Sequence, residues 1–279
     1  MTSEDTLRQD IVEVGRRVWA RRFVASNDGN ISIRLDDSRI LTTPTGVSKG
    51  FMTPEMMVVT DLSGTRISGD RKPSSELLMH LAVYELRPDV RAVVHAHPPL
   101  ATGFAVAGVP LTRAVLAEVV TTLGSIPIAE YGTPSTHELA DAVRRHIRLH
   151  DGLLLANHGA LTIGPDVFGA YFKMETIEHF ATISLAARVL GGERLLSREE
   201  VKRLQQLRGS YGIAAPAPLC LDDDPAAAGD MCQEVEAPPA SPGSRLVSGE
   251  SSALAGDDEI RLTYRQLTAL IADAVKQLG

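Results

Sequence analysis

The 279 residues carry 44% hydrophobic and 23% charged side chains, ordinary values for a chain that buries a core in one large domain or two small ones. Twenty-eight basic against 35 acidic residues leave a net charge of −7 with the cations scattered; this argues against nucleic acid or an anionic membrane as partner and favours a small polar substrate. Apolar runs such as Leu153 to Ala156 fall far short of the roughly 20 residues of a membrane span, the polar start is unlike a secretory signal, and two cysteines, Cys220 and Cys232, fit a reducing cytoplasm.

In chain order, Leu7, Ile11, Val14 and Val18 predict a first helix with Trp19 on its apolar side. Strands are expected at 31–35 and 39–43 around an Asp36-Asp37-Ser38 turn, and at 57–60 before the turn 61–64. A helix over 75–86 stops ahead of Pro88, a strand follows at 90–95, and a helix at 98–107. After a short strand at 126–129, Ser135 and Glu138 read as the capping box of a helix carrying Leu139, Val143 and Ile147. A buried strand at 152–156 pairs with 160–163, and 165–190 is long enough for one extended helix. These elements form a body over residues 1–213.

From 214 to 258 the composition changes: 25 of 45 residues are Ala, Pro, Gly or Ser, nine are acidic and one, Arg245, is basic. Such a segment buries too little apolar surface to offset the entropy of ordering it, so it is expected to be a linker. Beyond it, over 259–279, Leu267, Leu270, Ile271, Ala274, Val275 and Leu278 recur at helical spacing after a Thr263/Gln266 capping box. A helix this short is marginal in water, so it is expected to dock on the body, on an oligomer partner, or elsewhere as a targeting peptide.

The chemistry concentrates at strand ends. In Val93-Val94-His95-Ala96-His97 the two histidines project to one side of a strand, about 6.5–7 Å apart at Cα, which suits two ligands on one metal. A packing role fits an isolated His-x-His pair equally well. A third histidine, His158, ends another apolar strand beside Gly159, and three neutral imidazoles with one open position are what a catalytic zinc site uses. The loop Lys72-Pro73-Ser74-Ser75-Glu76 sets two hydroxyls and a carboxylate at a helix start, a phosphate cradle beside an acid/base group or plain helix capping. The turns Asn27-Asp28-Gly29-Asn30 and Thr43-Pro44-Thr45-Gly46 offer small donors and permissive backbone.

Together GNIS (29–32), TPTG (43–46), KPSSE (72–76), HAH (95–97) and NHG (157–159) stand in the order and spacing of the class II aldolase/adducin family, which the chain resembles over residues 5–213. The resemblance implies an α/β fold: a three-layer αβα domain with a largely antiparallel central sheet, assembled as a four-fold homotetramer with active sites between subunits. It implies one Zn2+ per subunit, held by His95, His97 and His158 and, before substrate arrives, by Glu76, which is also the acid/base residue. Gly29, Asn30, Thr45, Gly46, Ser74 and Ser75 match the phosphate-binding set. The implied activity is cleavage of a deoxyketose 1-phosphate, of the fuculose or rhamnulose type, to dihydroxyacetone phosphate and lactaldehyde. Sugar-phosphate 4-epimerases and methylthioribulose-phosphate-type dehydratases share the fold, but the epimerases typically carry Asp where Glu76 stands. An adducin-like scaffold is argued against by the intact histidines and Glu76.

The sequence departs from the fuculose-phosphate aldolases in two places. Ala114-Val115-Leu116 lacks their active-site tyrosine, and Pro134 stands where they have an aromatic. Tyr211-Gly212 resembles a C-terminal Tyr-Gly of that group and makes Tyr211 a further site residue. The tail resembles the encapsulation peptides of bacterial microcompartments, implying shell proteins as partners of 259–279 and a location in the cytoplasm inside such a compartment. Lys49, Arg71 and Lys72 read as solvated loop charges, with phosphate neutralisation as the alternative, His80 as a structural or supporting residue, and His137, His146, His150 and His179 as surface or packing residues.

Overall fold

The structure, a computed structural model, describes residues 3–210 and 213; Tyr211, the cysteines, the 214–258 linker and the 259–279 helix expected from the sequence lie outside the described residues. In chain order the elements are α1 (Glu4–Ala20), β1 (Asn30–Arg34), β2 (Arg39–Thr42), β3 (Val58–Asp61), β4 (Arg66–Ser68), α2 (Leu77–Leu86), β5 (Ala92–Ala96), α3 (Pro99–Val106), α4 (Ala117–Thr122), β6 (Ile128–Ala129), α5 (His137–His146), β7 (Gly152–Leu155), β8 (Gly159–Gly164), α6 (Val167–Val189) and α7 (Arg198–Ser210).

The strands form one sheet in the order β4-β3-β2-β1-β5-β8-β7-β6. Every neighbouring pair is antiparallel except β6 and β7. The period-2 alternation of strand side chains divides the core into two layers. Ile31, Ile33, Val94 and Leu154 face α1, α3, α4 and α6, whereas Val93, Leu153, Leu155 and Leu161 face α2 and α5. Helices thus cover both faces, as the three-layer αβα expectation requires.

Local signals fix the helix starts. The Ser3 hydroxyl accepts from Thr6 N to cap α1, and Asp166 accepts from Gly169 N to cap α6. The cap of α5 is Thr136, not the expected Ser135: the Thr136 hydroxyl accepts from Glu138 N, and Ser135 sits in the left-handed region at φ 67°. Glu138 closes no capping box: its carboxylate accepts from Thr133 N, three residues before the cap. Trp19 lies at the rim of the core rather than inside it, 44% exposed and edge-on to exposed Phe51.

A buried ionic cluster ties the layers together. Asp151, just before β7, accepts from Arg87 at the end of α2 at 2.9 Å and from Lys173 of α6 at 2.6 Å. Glu178, also on α6, accepts from the Leu100 and Ala101 amides at the start of α3. That contact places a carboxylate at a helix N-terminus and seats the helix that follows His97.

Candidate metal centre and substrate pocket

Antiparallel pairing places the chemistry at one end of the sheet. In the β1–β5 ladder Asn30 stands opposite His95, and in the β5–β8 ladder His95 stands opposite Leu161. His97 follows β5, and His158 sits in the tight turn from β7 to β8. There Asn157 takes φ 54° and the His158 amide donates to Leu155 O. The three rings lie 4.8–5.0 Å apart between centroids, and one ligand nitrogen from each falls within 4.8 Å of the others.

Two of the rings turn an unshared pair inward. His95 Nδ1 donates to Ala160 O at 2.8 Å, which leaves an unshared pair on Nε2. His97 Nδ1 faces the Asp28 carboxylate at 3.5 Å, and its Nε2 lies 3.1 Å from Nε2 of His95. Burial pushes His95 down to about 3 and lowers His97, so both imidazoles are neutral near neutral pH. Two unshared pairs turned toward each other in a buried site repel unless a cation lies between them; the donor set therefore fits a bound metal ion.

Glu76 completes the cluster. It immediately precedes α2, with Oε1 3.1 Å from His158 Nε2 and Oε2 3.4 Å from His95 Nε2. Asn30 Nδ2 donates to Oε2 at 2.7 Å. Burial pushes the carboxyl pKa up, but the neighbouring histidines and the hydrogen bonds from His158 and Asn30 outweigh it and hold Glu76 below the usual carboxylate range.

Above this cluster a pocket of about 250 Å³ is lined by Gly29, Asn30, Thr45, Gly46, Ser74, Ser75, Glu76, His97 and His158. All six residues of the expected phosphate set thus meet in one cavity. The backbone zips two of the loops together, since Thr45 N donates to Lys72 O and Ser74 N to Thr43 O. The remaining loop needs Gly29 in the left-handed region at φ 73°, because a β-carbon there would lie 2.8 Å from His95 O. Pro134 and Ser135 form part of the opposite wall. A second cleft of about 240 Å³ is lined by α2 and α5 residues such as Leu81, Tyr84 and Arg144 and by none of His95, His97, His158 or Glu76.

Lys49 corrects the sequence reading. It is not a solvated charge: the residue is 2% exposed and lines the pocket. Its ammonium donates to Val47 O at 2.6 Å and Asn27 O at 3.1 Å, clamping the 27–30 loop to the 45–47 loop. Burial lowers its pKa to about 8 against the opposing pull of Asp28 and Glu76. Only its position three residues after Gly46 hinted at this. His80, in turn, is fully enclosed beneath the pocket and bonded to Asn30.

Known proteins are similar to this chain. The sequence profile described as Class II Aldolase and Adducin N-terminal domain matches residues 9–185. An L-fuculose phosphate aldolase from Methanococcus maripaludis is 37% identical over 175 residues, 63% of this chain and 94% of its own. A 3-oxo-tetronate 4-phosphate decarboxylase from Haemophilus influenzae is 32% identical over 205 residues, 70% of this chain and 94% of its own. A solved L-fuculose 1-phosphate aldolase superposes with a TM-score of 0.68 at 30% identity, over 74% of this chain and 97% of its own. On the profile, these identities and the three-layer fold, the chain belongs to the class II aldolase and adducin N-terminal domain family.

Proposed function

We propose that this protein is a zinc-dependent aldolase that cleaves a deoxyketose 1-phosphate of the fuculose or rhamnulose type to dihydroxyacetone phosphate and lactaldehyde. The observation that carries the reading is the convergence of three imidazoles and a carboxylate beside a pocket built from small donors and one buried lysine. Zn2+ held by His95, His97 and His158, with Glu76 beside it, would supply Lewis-acid polarisation of the substrate carbonyl.

The protein's own groups do the rest. In the cleavage the C3–C4 bond breaks, its electron pair moves toward the C2 carbonyl, the C4 hydroxyl loses its proton and C3 gains one. Ionised Glu76 takes the proton that the C4 hydroxyl releases and delivers it to C3. Gly29, Asn30, Thr45, Gly46, Ser74 and Ser75 hold the phosphate, with Lys49 adding a positive charge. Phosphate binding energy then keeps the reacting carbons in place, so a substrate without phosphate loses rate as well as affinity.

The identity with the decarboxylase, over more of the chain than the aldolase match from Methanococcus, favours a second reading. Loss of carbon dioxide from a 3-oxo acid phosphate also leaves an electron pair on the carbon next to a carbonyl. The zinc-loaded protein should be offered ketose 1-phosphates and a four-carbon 3-oxo acid 4-phosphate. Aldehyde with dihydroxyacetone phosphate supports the aldolase; carbon dioxide without aldehyde supports the decarboxylase; neither product sinks both.

The domain boundaries 1–213, 214–258 and 259–279 stand as part of the same proposal, as does the homotetramer. Exposed Phe51, Phe172, Val189 and Leu190 are apolar surface that further copies of the chain would cover. Docking of 259–279 to microcompartment shell proteins rests on the spacing of its leucines. A fluorescent protein fused to 259–279 should concentrate at co-expressed shells. Diffuse signal equal to a Leu267→Glu, Ile271→Glu control would refute the docking. Among the described residues no helix is long and apolar enough to cross a membrane.

A further inference from the structure

Beneath Glu76 lies a chain of buried side chains that the reaction as written does not use. Asn30 and Ser32 share one face of β1 at strand spacing, and Glu76, His80 and Tyr84 follow one another at i, i+4, i+8 along the start and body of α2. The strand repeat of about 6.6 Å and the helical i to i+4 rise of about 6 Å nearly match, so the two rows interlock. Tyr84 OH lies 2.8 Å from Ser32 Oγ, Ser32 Oγ lies 2.7 Å from His80 Nδ1, and His80 Nε2 lies 2.5 Å from Asn30 Oδ1. Asn30 Nδ2 then reaches Glu76 Oε2 at 2.7 Å. Asn30, Ser32, His80 and Tyr84 are each no more than 4% exposed.

The carboxylate end fixes the direction of every bond. An ionised Glu76 only accepts, so Asn30 turns its amide N–H toward it and its Oδ1 toward His80. Facing an oxygen, His80 Nε2 must carry the hydrogen. Burial pushes the His80 pKa down to about 4, so the ring is neutral near pH 7 and Nδ1 is left as an acceptor. Ser32 donates to Nδ1 and accepts from Tyr84.

The asparagine amide is the weak point of such an arrangement. Its two ends are nearly the same size, and with a flipped amide Oδ1 would press against the Glu76 carboxylate. We infer that His80 is a positioning residue for the reaction: by donating from Nε2 to Asn30 Oδ1, it holds the Asn30 amide in the one orientation that presents a donor to Glu76. Asn30 therefore serves Glu76 as well as the phosphate pocket. The inference rests on Glu76 being the acid/base group of the proposed reaction, but the hydrogen-bond direction is testable without turnover.

The experiment has two arms, both on the full-length chain. Long-range 1H–15N correlation of the imidazole of His80 should show the Nε2–H tautomer from pH 6 to 9. An Nδ1–H tautomer or an imidazolium in that range overturns the proposal. In the second arm kcat and KM are measured for His80→Leu, Asn30→Asp and the double variant. His80→Leu should lower kcat about tenfold or more with little change in KM, on the scale of lost supporting contacts at metal sites. Asn30→Asp should lower kcat at least as far and also raise KM, because Asn30 lines the phosphate pocket. The double variant should be no worse than Asn30→Asp alone, because His80 acts through Asn30. His80→Gln, whose side-chain amide can donate to the same oxygen, should recover most of kcat. Independent, multiplicative losses, or no rescue by Gln, overturn the proposal. If His80→Leu does not fold, His80→Gln and the tautomer decide. If the wild-type chain turns over neither substrate class, the functional reading fails while the tautomer still decides this one.

Discussion

A β-carbon on Gly159 would lie 2.5 Å from Cδ2 of His97 and 2.6 Å from the carbonyl of Ala96. The closeness of β8 to β5 at the sheet's end, and with it the packing of the imidazoles, therefore requires a residue without a side chain. Gly159→Ala should force the ends of β5 and β8 apart and displace His97. Zinc affinity, measured by competition with a chelator, should fall about 10- to 100-fold. Unchanged affinity would mean that His97 is not a ligand.

Lys49 sits between the two loops of the pocket and adds a charge where the phosphate is proposed to bind. Lys49→Met should raise KM for a phosphorylated substrate about tenfold or more, the loss of one charged hydrogen bond, and should weaken competition by inorganic phosphate to match. A variant with wild-type KM and phosphate inhibition would assign the lysine to loop structure alone.

The pH dependence of stability carries the mark of His80. Its pKa is near 6.5 when unfolded and about 4 in the folded protein. The unfolded chain therefore binds more protons across this interval. Stability is unaffected by this group above pH 6.5, declines as the pH falls from 6.5 to 4, and is flat below. The decline amounts to about 3 kcal/mol. Denaturant titrations of wild type and His80→Gln should diverge in that window and run parallel above it. Parallel curves throughout would mean that the ring is not held neutral.

Asp151 is nearly fully buried and pairs with Arg87 and Lys173. Asp151→Ala leaves the enclosed guanidinium of Arg87 with only the more exposed Asp89 as counter-ion. Removing one partner of a buried ion pair costs about 3–5 kcal/mol. Urea unfolding should show a loss of that order, with zinc stoichiometry at low temperature unchanged.

Most strands and helices and the histidine cluster were legible because their signals are local: period-2 strands, a His-x-His pair at a strand end, and a glycine beside the third histidine. The αβα layering came from the resemblance alone, since no local pattern sets how the elements stack. Lys49 was not, because its burial depends on a distant contact. A β-carbon on Gly15 of α1 would lie 2.9 Å from Lys49 O, so α1 lies directly against the turn that carries the lysine. Nothing in the Lys49 neighbourhood of the sequence encodes that approach. Ser135 and Thr136 offer the same capping chemistry one residue apart, and only the backbone at Ser135 decides between them. The short strand β4 is exposed along its whole length and gives no apolar pattern to find.

We propose that His95, His97, His158 and Glu76 form a metal-dependent centre for carbon–carbon cleavage. The most direct test is release of dihydroxyacetone phosphate from fuculose and rhamnulose 1-phosphates by full-length protein, before chelation, after it, and after zinc is restored, in wild type and Glu76→Gln. Release should disappear with chelation, return with zinc, and fall by at least about a hundredfold in Glu76→Gln, as expected when an acid/base group is removed. Release that survives chelation, or a Glu76→Gln variant as fast as wild type, would contradict it.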